Sequence, residues 1–155
     1  MNGGVTKKQT GFTIVELLIV IVVIGILAAI SIVAYNGVQE RARVTRANSD
    51  MSTLVRAINV ARVNTDKTLM GVTSSGCTRC AGTQAAYDLT LDRIGVAAGT
   101  NLSALKAGDP WGNMYLIDEN EGESAVTPCV TDGLSVVSAA SHPGLSVPTI
   151  TMYRC

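Results

Sequence analysis

Glu16 is the residue whose surroundings point most directly to a chemical role. It stands near the start of a long apolar run, and Lys7 and Lys8 precede it. From Leu17 to Tyr35 the run carries no ionisable side chain except Tyr35 itself. An unpaired carboxylate inside hydrocarbon costs about 3 kcal/mol or more, so an intramembrane acid usually has a dedicated partner. We therefore expect Glu16 to have a cationic partner.

Four cysteines form a second chemical set, and all of them follow the apolar run. An even number of cysteines outside the cytoplasm predicts disulfides, for which three pairings are possible. A four-thiolate zinc site would need a second close pair of cysteines, and a redox-active Cys-x-x-Cys would need a βαβ setting. Both alternatives are disfavoured. The cysteines are Cys77, Cys80, Cys129 and Cys155.

Two classes of function find little support in the composition. His142 is the only histidine, it precedes Pro143 in a predicted turn, and neither a Gly-x-Ser-x-Gly elbow nor a phosphate loop is present. From Ala47 onward seven Lys or Arg face ten Asp or Glu, with few aromatic residues. A nucleic-acid binder would have a basic face and stacking aromatics. We expect neither an enzyme nor intrinsic nucleic-acid binding.

The apolar run is long enough to cross a membrane once, since a spanning helix needs about 20 mostly apolar residues. After it, apolar residues recur at steps of three and four, which predicts one buried stripe on an amphipathic helix. The sequence has no proline before Pro110, so one helix can run from about Phe12 to Asn64. The stripe consists of Val44, Ala47, Met51, Leu54, Val55, Ile58 and Ala61.

The remainder predicts two short helices and an antiparallel meander, which together give an α+β fold in which the long helix packs on a small C-terminal sheet. The helices are expected at Ala85 to Ile94 and Leu102 to Ala107. Polar turns containing glycine separate short β-prone runs. These runs are Met114 to Ile117, Ser124 to Val130, Leu134 to Ser138 and Val147 to Tyr153.

The N-terminus reads Lys7-Lys8-Gln9-Thr10-Gly11, followed by Phe12-Thr13-Ile14-Val15-Glu16. This pattern resembles the precursors of type IV pilins and type II secretion pseudopilins. The resemblance implies that a prepilin peptidase cleaves after Gly11 and methylates the amine of Phe12. It also implies that Phe12, Thr13 and Glu16 serve assembly, with Glu16 pairing with the positive N-terminus of an adjoining subunit. No cofactor is expected, and calcium is only a weak candidate.

Two further features take a meaning from this resemblance. It favours a disulfide between Cys129 and Cys155, a C-terminal loop closure, and this leaves Cys77 to pair with Cys80. The segment Asp109-Pro110-Trp111-Gly112-Asn113 looks like one found in many pseudopilins and some pilins. For this segment we favour a structural turn over a ligand site.

Asp118, Asn120 and Glu121 are candidate calcium ligands. Alternating oxygen-bearing side chains suit a hard cation, and major pseudopilins bind calcium in their C-terminal loops. The segment lacks the spacing of an EF-hand loop, however, so we favour a solvated hairpin turn over a calcium site.

The resemblance predicts a pilin-like organisation in five parts. They are a leader at 1–11, a membrane or fibre-core half of the helix at 12–36, an amphipathic half at 37–66, a variable connection at 67–108, and a sheet with a C-terminal disulfide loop at 109–155.

The implied function is that of a type IV pilus subunit for adhesion, twitching motility or DNA uptake. Its partners would be other pilin subunits, the prepilin peptidase and methyltransferase, and an inner-membrane assembly platform. It would sit in the cytoplasmic membrane as a single-pass precursor and in an extracellular pilus fibre once assembled. The alternatives are a type II secretion pseudopilin and a membrane-anchored extracytoplasmic binding domain that never polymerises.

Overall fold

The computed structural model describes residues 11–74, 80, 82–121, 129–151 and 153. The chain divides after Glu40 into two compact units. The helices are α1 (Ile14–Thr65), α2 (Leu69–Thr73) and α3 (Gln84–Ala98), with 3-10 turns at Ser103–Ala107 and Ala139–Ser141. Strands β1 (Leu116–Asp118) and β2 (Gly133–Ser135) form an antiparallel pair.

In the first unit, the N-terminal part of α1 is apolar and uncovered. The large hydrophobic side chains from Ile14 to Ile32 are each at least 51% exposed. This stretch contains an 18-residue window of mean hydropathy 3.3, so α1 is long and apolar enough to cross a membrane. Apolar surface of this kind is stable only against lipid or other protein.

In the second unit, the apolar stripe on α1 forms the core, as the periodicity predicts. Val44, Ala47, Met51, Leu54, Ile58 and Ala61 are buried, and Val55 packs at the edge of the cluster.

Helix α3 covers part of this stripe. Thr83 caps its start by accepting a hydrogen bond from the Ala86 amide, and Gly99 ends it with a φ of 67°. Its buried residues include Leu91 and Ile94, which belong to the same core. Both predicted short helices are confirmed, the second as the 3-10 turn at Ser103–Ala107.

The sheet is smaller than the predicted meander. Ile117 pairs with Leu134, and both side chains are buried in the core. The α+β class and the antiparallel pairing are thus confirmed, but β1 begins at Leu116 instead of Met114. Of the predicted strand at Ser124 to Val130, residues 124–128 lie outside the described part, and Val130 is not in a strand.

The predicted strand at Val147 to Tyr153 is wrong for the described residues. Residues 144–151 and Tyr153, hereafter the C-terminal segment, form no β-ladder. Side chains satisfy the backbone of this segment instead. Asn48 donates to the Gly144 carbonyl (3.2 Å) and accepts from the Ser146 amide (2.9 Å).

Further along, Arg62 donates to the Thr151 carbonyl at 2.7 Å. Asn48 and Arg62 are separated by about 21 Å of helix. The chain from Gly144 to Thr151 spans about 23 Å when extended. The C-terminal segment therefore lies extended along α1 and uses helix side chains where a strand would use a neighbouring strand.

Candidate functional site

Glu16 caps the start of its own helix. Its Oε2 accepts from the Thr13 amide at 2.8 Å and from the Thr13 hydroxyl at 2.7 Å, while Thr13 Oγ1 accepts from the Glu16 amide at 3.2 Å. Thr13-x-x-Glu16 is thus a reciprocal capping box, which satisfies amides that the first helical turn leaves unpaired. The box fixes where α1 begins and how the carboxylate is oriented.

The capping box leaves half of the carboxylate open. Both bonds from Thr13 end on Oε2, and within the described residues Oε1 accepts no hydrogen bond. Phe12, whose amine would become the N-terminus after cleavage, is 87% exposed. The site can therefore bind a cation from a second molecule through Oε1 while Thr13 holds Oε2. The expected cationic partner of Glu16 stays a prediction.

Asp109 organises the turn that precedes β1. Its Oδ1 accepts from the amides of Trp111 and Asn113, both at 2.9 Å, and its own amide donates to the Asn113 carbonyl at 2.7 Å. Gly108 has a φ of +79°, and a Cβ there would lie 2.3 Å from the Asn113 carbonyl oxygen. Only glycine fits this position. These bonds account for the segment as a structural turn.

Trp111 connects this turn to the loop that holds the only histidine. Its ring stacks on His142 with centroids 3.7 Å apart and an interplanar angle of 22°. His142 ends the 3-10 turn at Ala139–Ser141, just before the C-terminal segment. The contact joins two loops and thereby places the start of that segment.

Arg62 lies at the centre of a buried charged network. Its Nη2 pairs with Asp132 Oδ2 and lies 3.6 Å from Glu121 Oε2. Glu121 Oε2 also accepts from the Tyr153 amide at 2.8 Å, and Asp132 Oδ1 accepts from the Glu121 amide at 2.9 Å. One guanidinium thus joins α1, the loop after β1, the residue before β2 and the C-terminal segment.

Both charges in the closest pair are withdrawn from water. The side chains of Arg62 and Asp132 are 1% and 0% exposed. Burial lowers the pKa of the Arg62 guanidinium, and the negative charge of Glu121 acts in the opposite direction. Arginine remains protonated in proteins, so the network keeps its positive centre.

Sequence reasoning missed Arg62 and Asn48, although the spacing contained a signal. Position 62 follows Ile58 by four residues, and position 48 follows Val44 by four. Both therefore fall on the buried side of the helix. A polar residue at such a position has to find a partner inside the fold.

The cysteines are only partly within the described residues. Cys80 and Cys129 are each disulfide-bonded, whereas Cys77 and Cys155 lie outside the described part of the chain. The predicted pairing of Cys129 with Cys155 and of Cys77 with Cys80 therefore stays a prediction.

The three calcium candidates contact protein groups. Asp118 lies in β1, paired in register with Gly133. The Asn120 amide donates to the Thr131 carbonyl at 3.1 Å, and Glu121 faces Arg62. These residues sit at the end of β1 and in the long connection to β2, where a tight hairpin turn was expected.

The matches to known proteins all point to one family. A model of the prokaryotic N-terminal methylation motif matches residues 6–32. A fimbrial protein of Pseudomonas aeruginosa is 51% identical over 55 residues, 36% of each chain. The chain thus spans about a third of the length of that relative.

Two longer matches extend beyond the N-terminal helix. The type II secretion system core protein G of Escherichia coli K12 is 30% identical over 128 residues, 83% of each chain. The type IV major fimbrial protein FimA of Dichelobacter nodosus is 35% identical over 116 residues, 75% of this chain and 71% of that protein. No solved structure matches.

The chain thus joins a helix long and apolar enough to cross a membrane, with a carboxylate at its start, to an α+β unit. The long matches to a fimbrial protein and a secretion core protein place this chain in the family of type IV pilins and type II secretion pseudopilins.

Proposed function

We propose that this chain is a type IV pilin. A prepilin peptidase and methyltransferase cleaves it after Gly11 and methylates Phe12, and an inner-membrane platform assembles it into an extracellular pilus. Before assembly it is a single-pass protein of the cytoplasmic membrane. The fibre would serve adhesion, twitching motility or DNA uptake.

The observation that carries the proposal is the exposure of α1 before Glu40. Burying one large aliphatic side chain contributes about 1.5–3 kcal/mol. A helix extracted from the bilayer would lose that stabilisation at each large aliphatic side chain from Ile14 to Ile32 unless neighbouring helices replaced the lipid. A fibre of identical helices supplies this replacement, and fimbrial proteins are among the relatives of this chain.

Glu16 provides the device that sets the register of the fibre. A subunit would enter by placing its methylated Phe12 amine, which stays positively charged, against the open Oε1 of a neighbour. A buried ion pair of this kind contributes specificity more reliably than stability. Thr13 would hold the carboxylate in place while the amine of the incoming subunit binds.

The test is to shear native cells and to measure the intact mass of this chain in the sheared fibres and in the cell pellet. A pilin is expected in the sheared fibres with a mass that begins at methylated Phe12. Replacement of Gly11 by Val should leave full-length protein in the membrane and none in the fibres. Full-length protein everywhere in the wild type would contradict the proposal.

A pseudopilin of a type II secretion system is the second candidate. The turn at Asp109 to Asn113 and the match to core protein G over 83% of the chain favour it. Processed protein found only in the cell pellet, together with loss of secreted proteins after deletion of the gene, would support this candidate over the pilin.

A further inference from the structure

The C-terminal third of the chain is rich in acidic residues but has almost no basic residues to pair with them locally. Between Lys106 and Arg154 there are six Asp or Glu residues and neither Lys nor Arg. Four of the six are buried, namely Asp109, Glu119, Glu121 and Asp132. Asp109 accepts hydrogen bonds from the backbone amides of its own turn. Glu121 and Asp132, 1% and 4% exposed, instead share one cation, which the fold brings to them from elsewhere in the chain.

Resemblance to major pseudopilins suggests calcium for this task, but the described residues do not fit that ion. Calcium takes six to eight oxygen ligands at about 2.3–2.6 Å. Here Asn120 turns its NH2 group to the Thr131 carbonyl. Both Glu121 and Asp132 face the guanidinium of Arg62, and a positive charge at this distance would repel calcium.

The arrangement of metal-ligating residues also argues against a calcium site. Among the residues that the structure describes, no three His, Cys, Asp or Glu side chains form a group suited to a metal. The oxygens of Glu121 and Asp132 are already shared among the amides of Tyr153 and Glu121 and the guanidinium.

We infer that Arg62 is the built-in cation of the C-terminal loop and takes the place of a metal ion. The guanidinium lies against both Glu121 and Asp132, and its second nitrogen donates to the Thr151 carbonyl at 2.7 Å. The planar fork of arginine suits this double role, because one side meets carboxylates while the other donates to a backbone oxygen. The C-terminal segment therefore folds without calcium, in a pilus or a pseudopilus alike.

The test uses the full chain, processed and held in detergent micelles. Its thermal midpoint is followed by the fluorescence of Trp111, the only tryptophan. Each midpoint is measured in about 5 mM calcium, a concentration above the dissociation constants of extracellular calcium modules, and again in a chelator. The wild-type midpoint is expected to be the same in both, and calorimetric titration should detect no calcium binding.

Arg62→Ala should lower the midpoint by roughly 15 °C, because it removes the positive charge that lies between two buried carboxylates. Arg56→Ala, an exposed arginine on the same helix, is the control and should change it by no more than about 2 °C.

Two results would overturn the inference. They are a wild-type midpoint that rises with calcium and an Arg62→Ala protein as stable as the Arg56→Ala control. If Arg62→Ala does not fold, the calcium titration of the wild type still decides whether the loop needs the metal. These readouts are independent of the location of the fibre, so they can fail while the proposed function stands.

Discussion

Glu16 combines a local role with an intermolecular one, and the two use different atoms. Oε2 is held by Thr13 and caps α1, whereas Oε1 is open within the described residues. Capping alone stabilises a helix by about 1 kcal/mol. The fibre contact needs the negative charge in addition. The two roles can be separated by substitutions that remove one of them.

We predict that Glu16→Gln and Glu16→Ala both insert into the membrane, are cleaved and assemble poorly. The glutamine keeps an oxygen that can accept from Thr13, so it preserves the cap but removes the charge. Fibre yield after shearing is the measurement, with membrane content as the control. Near-normal yield from Glu16→Gln would mean that capping, and not the ion pair, is what assembly requires.

Two buried tyrosines respond to high pH. Burial raises the pKa of both Tyr87 and Tyr115 above the ordinary value of 10.0, and the hydrogen bond from Tyr115 to Asp50 (2.9 Å) adds to the rise at Tyr115. Both phenols are protonated below pH 10 in either state. Above it the unfolded chain loses these protons first, so stability falls as pH rises.

We predict that above pH 10 the free energy of unfolding falls by up to about 1.4 kcal/mol per pH unit for each of these tyrosines. Tyr115→Phe removes the hydrogen bond to Asp50, so its free energy of unfolding should be about 1 kcal/mol lower at neutral pH. Above pH 10 the stability of this variant should fall less steeply than that of the wild type. Urea unfolding between about pH 8 and 11 measures both effects. Tyr35→Phe, at a residue 63% exposed, is the control, and an unchanged slope in Tyr115→Phe would contradict the assignment.

At the scale of elements, α1 was the most predictable part of the chain. Its apolar positions repeat over many turns, and no proline interrupts them before Pro110. The structure begins the helix at Ile14 and ends it at Thr65, within two residues of the expectation. A Thr-x-x-Glu pattern before an apolar run is a signature of a helix start. The capping box could therefore have been read from Thr13 and Glu16.

The sheet was less predictable because an extended pattern does not say what it pairs with. The run from Val147 to Tyr153 was expected to be a strand, but its described residues form no β-ladder. The backbone of the C-terminal segment bonds instead to Asn48, at Gly144 and Ser146, and to Arg62, at Thr151. Both partners lie nearly a hundred residues earlier in the chain. Periodicity locates the buried side of α1, but only the tertiary fold decides which polar residues there meet which backbone groups.

We predict that Asn48→Ala destabilises the second unit by about 1–2 kcal/mol, because it removes two hydrogen bonds to the backbone of the C-terminal segment. Ser52→Ala is the matched control, since the Ser52 hydroxyl bonds only to the Asn48 carbonyl of its own helix. Hydrogen exchange at the Ser146 amide should accelerate in the first variant alone. Equal exchange in both would show that Asn48 does not hold the segment.

At the scale of the whole molecule, a disulfide-bonded cysteine lies close in sequence to the charged network. Cys129 is disulfide-bonded and lies three residues before Asp132, which pairs with Arg62. A bond from Cys129 to Cys155 would enclose the C-terminal segment in a loop of about 27 residues. On the chain-entropy model such a loop contributes about 3.5 kcal/mol.

We predict two disulfides, Cys77 with Cys80 and Cys129 with Cys155. Peptide mapping under non-reducing conditions identifies the pairs, and reduction should lower the free energy of unfolding by about 5 kcal/mol, of which the longer loop contributes about 3.5 kcal/mol. Replacement of Cys129 and Cys155 by serine should reproduce most of this loss. A peptide that links Cys77 to Cys129 or Cys155 would contradict the pairing.

The extended C-terminal segment also has a mechanical consequence. It is fastened to α1 at Asn48 and again at Arg62, about 21 Å further along the helix axis. A pull along that axis would load both fastenings together, in shear, instead of opening them one after the other. The second fastening is a charge-assisted hydrogen bond from the buried Arg62 side chain to the Thr151 carbonyl. Tied at both points in this way, the segment would resist stretching of the helix between Asn48 and Arg62.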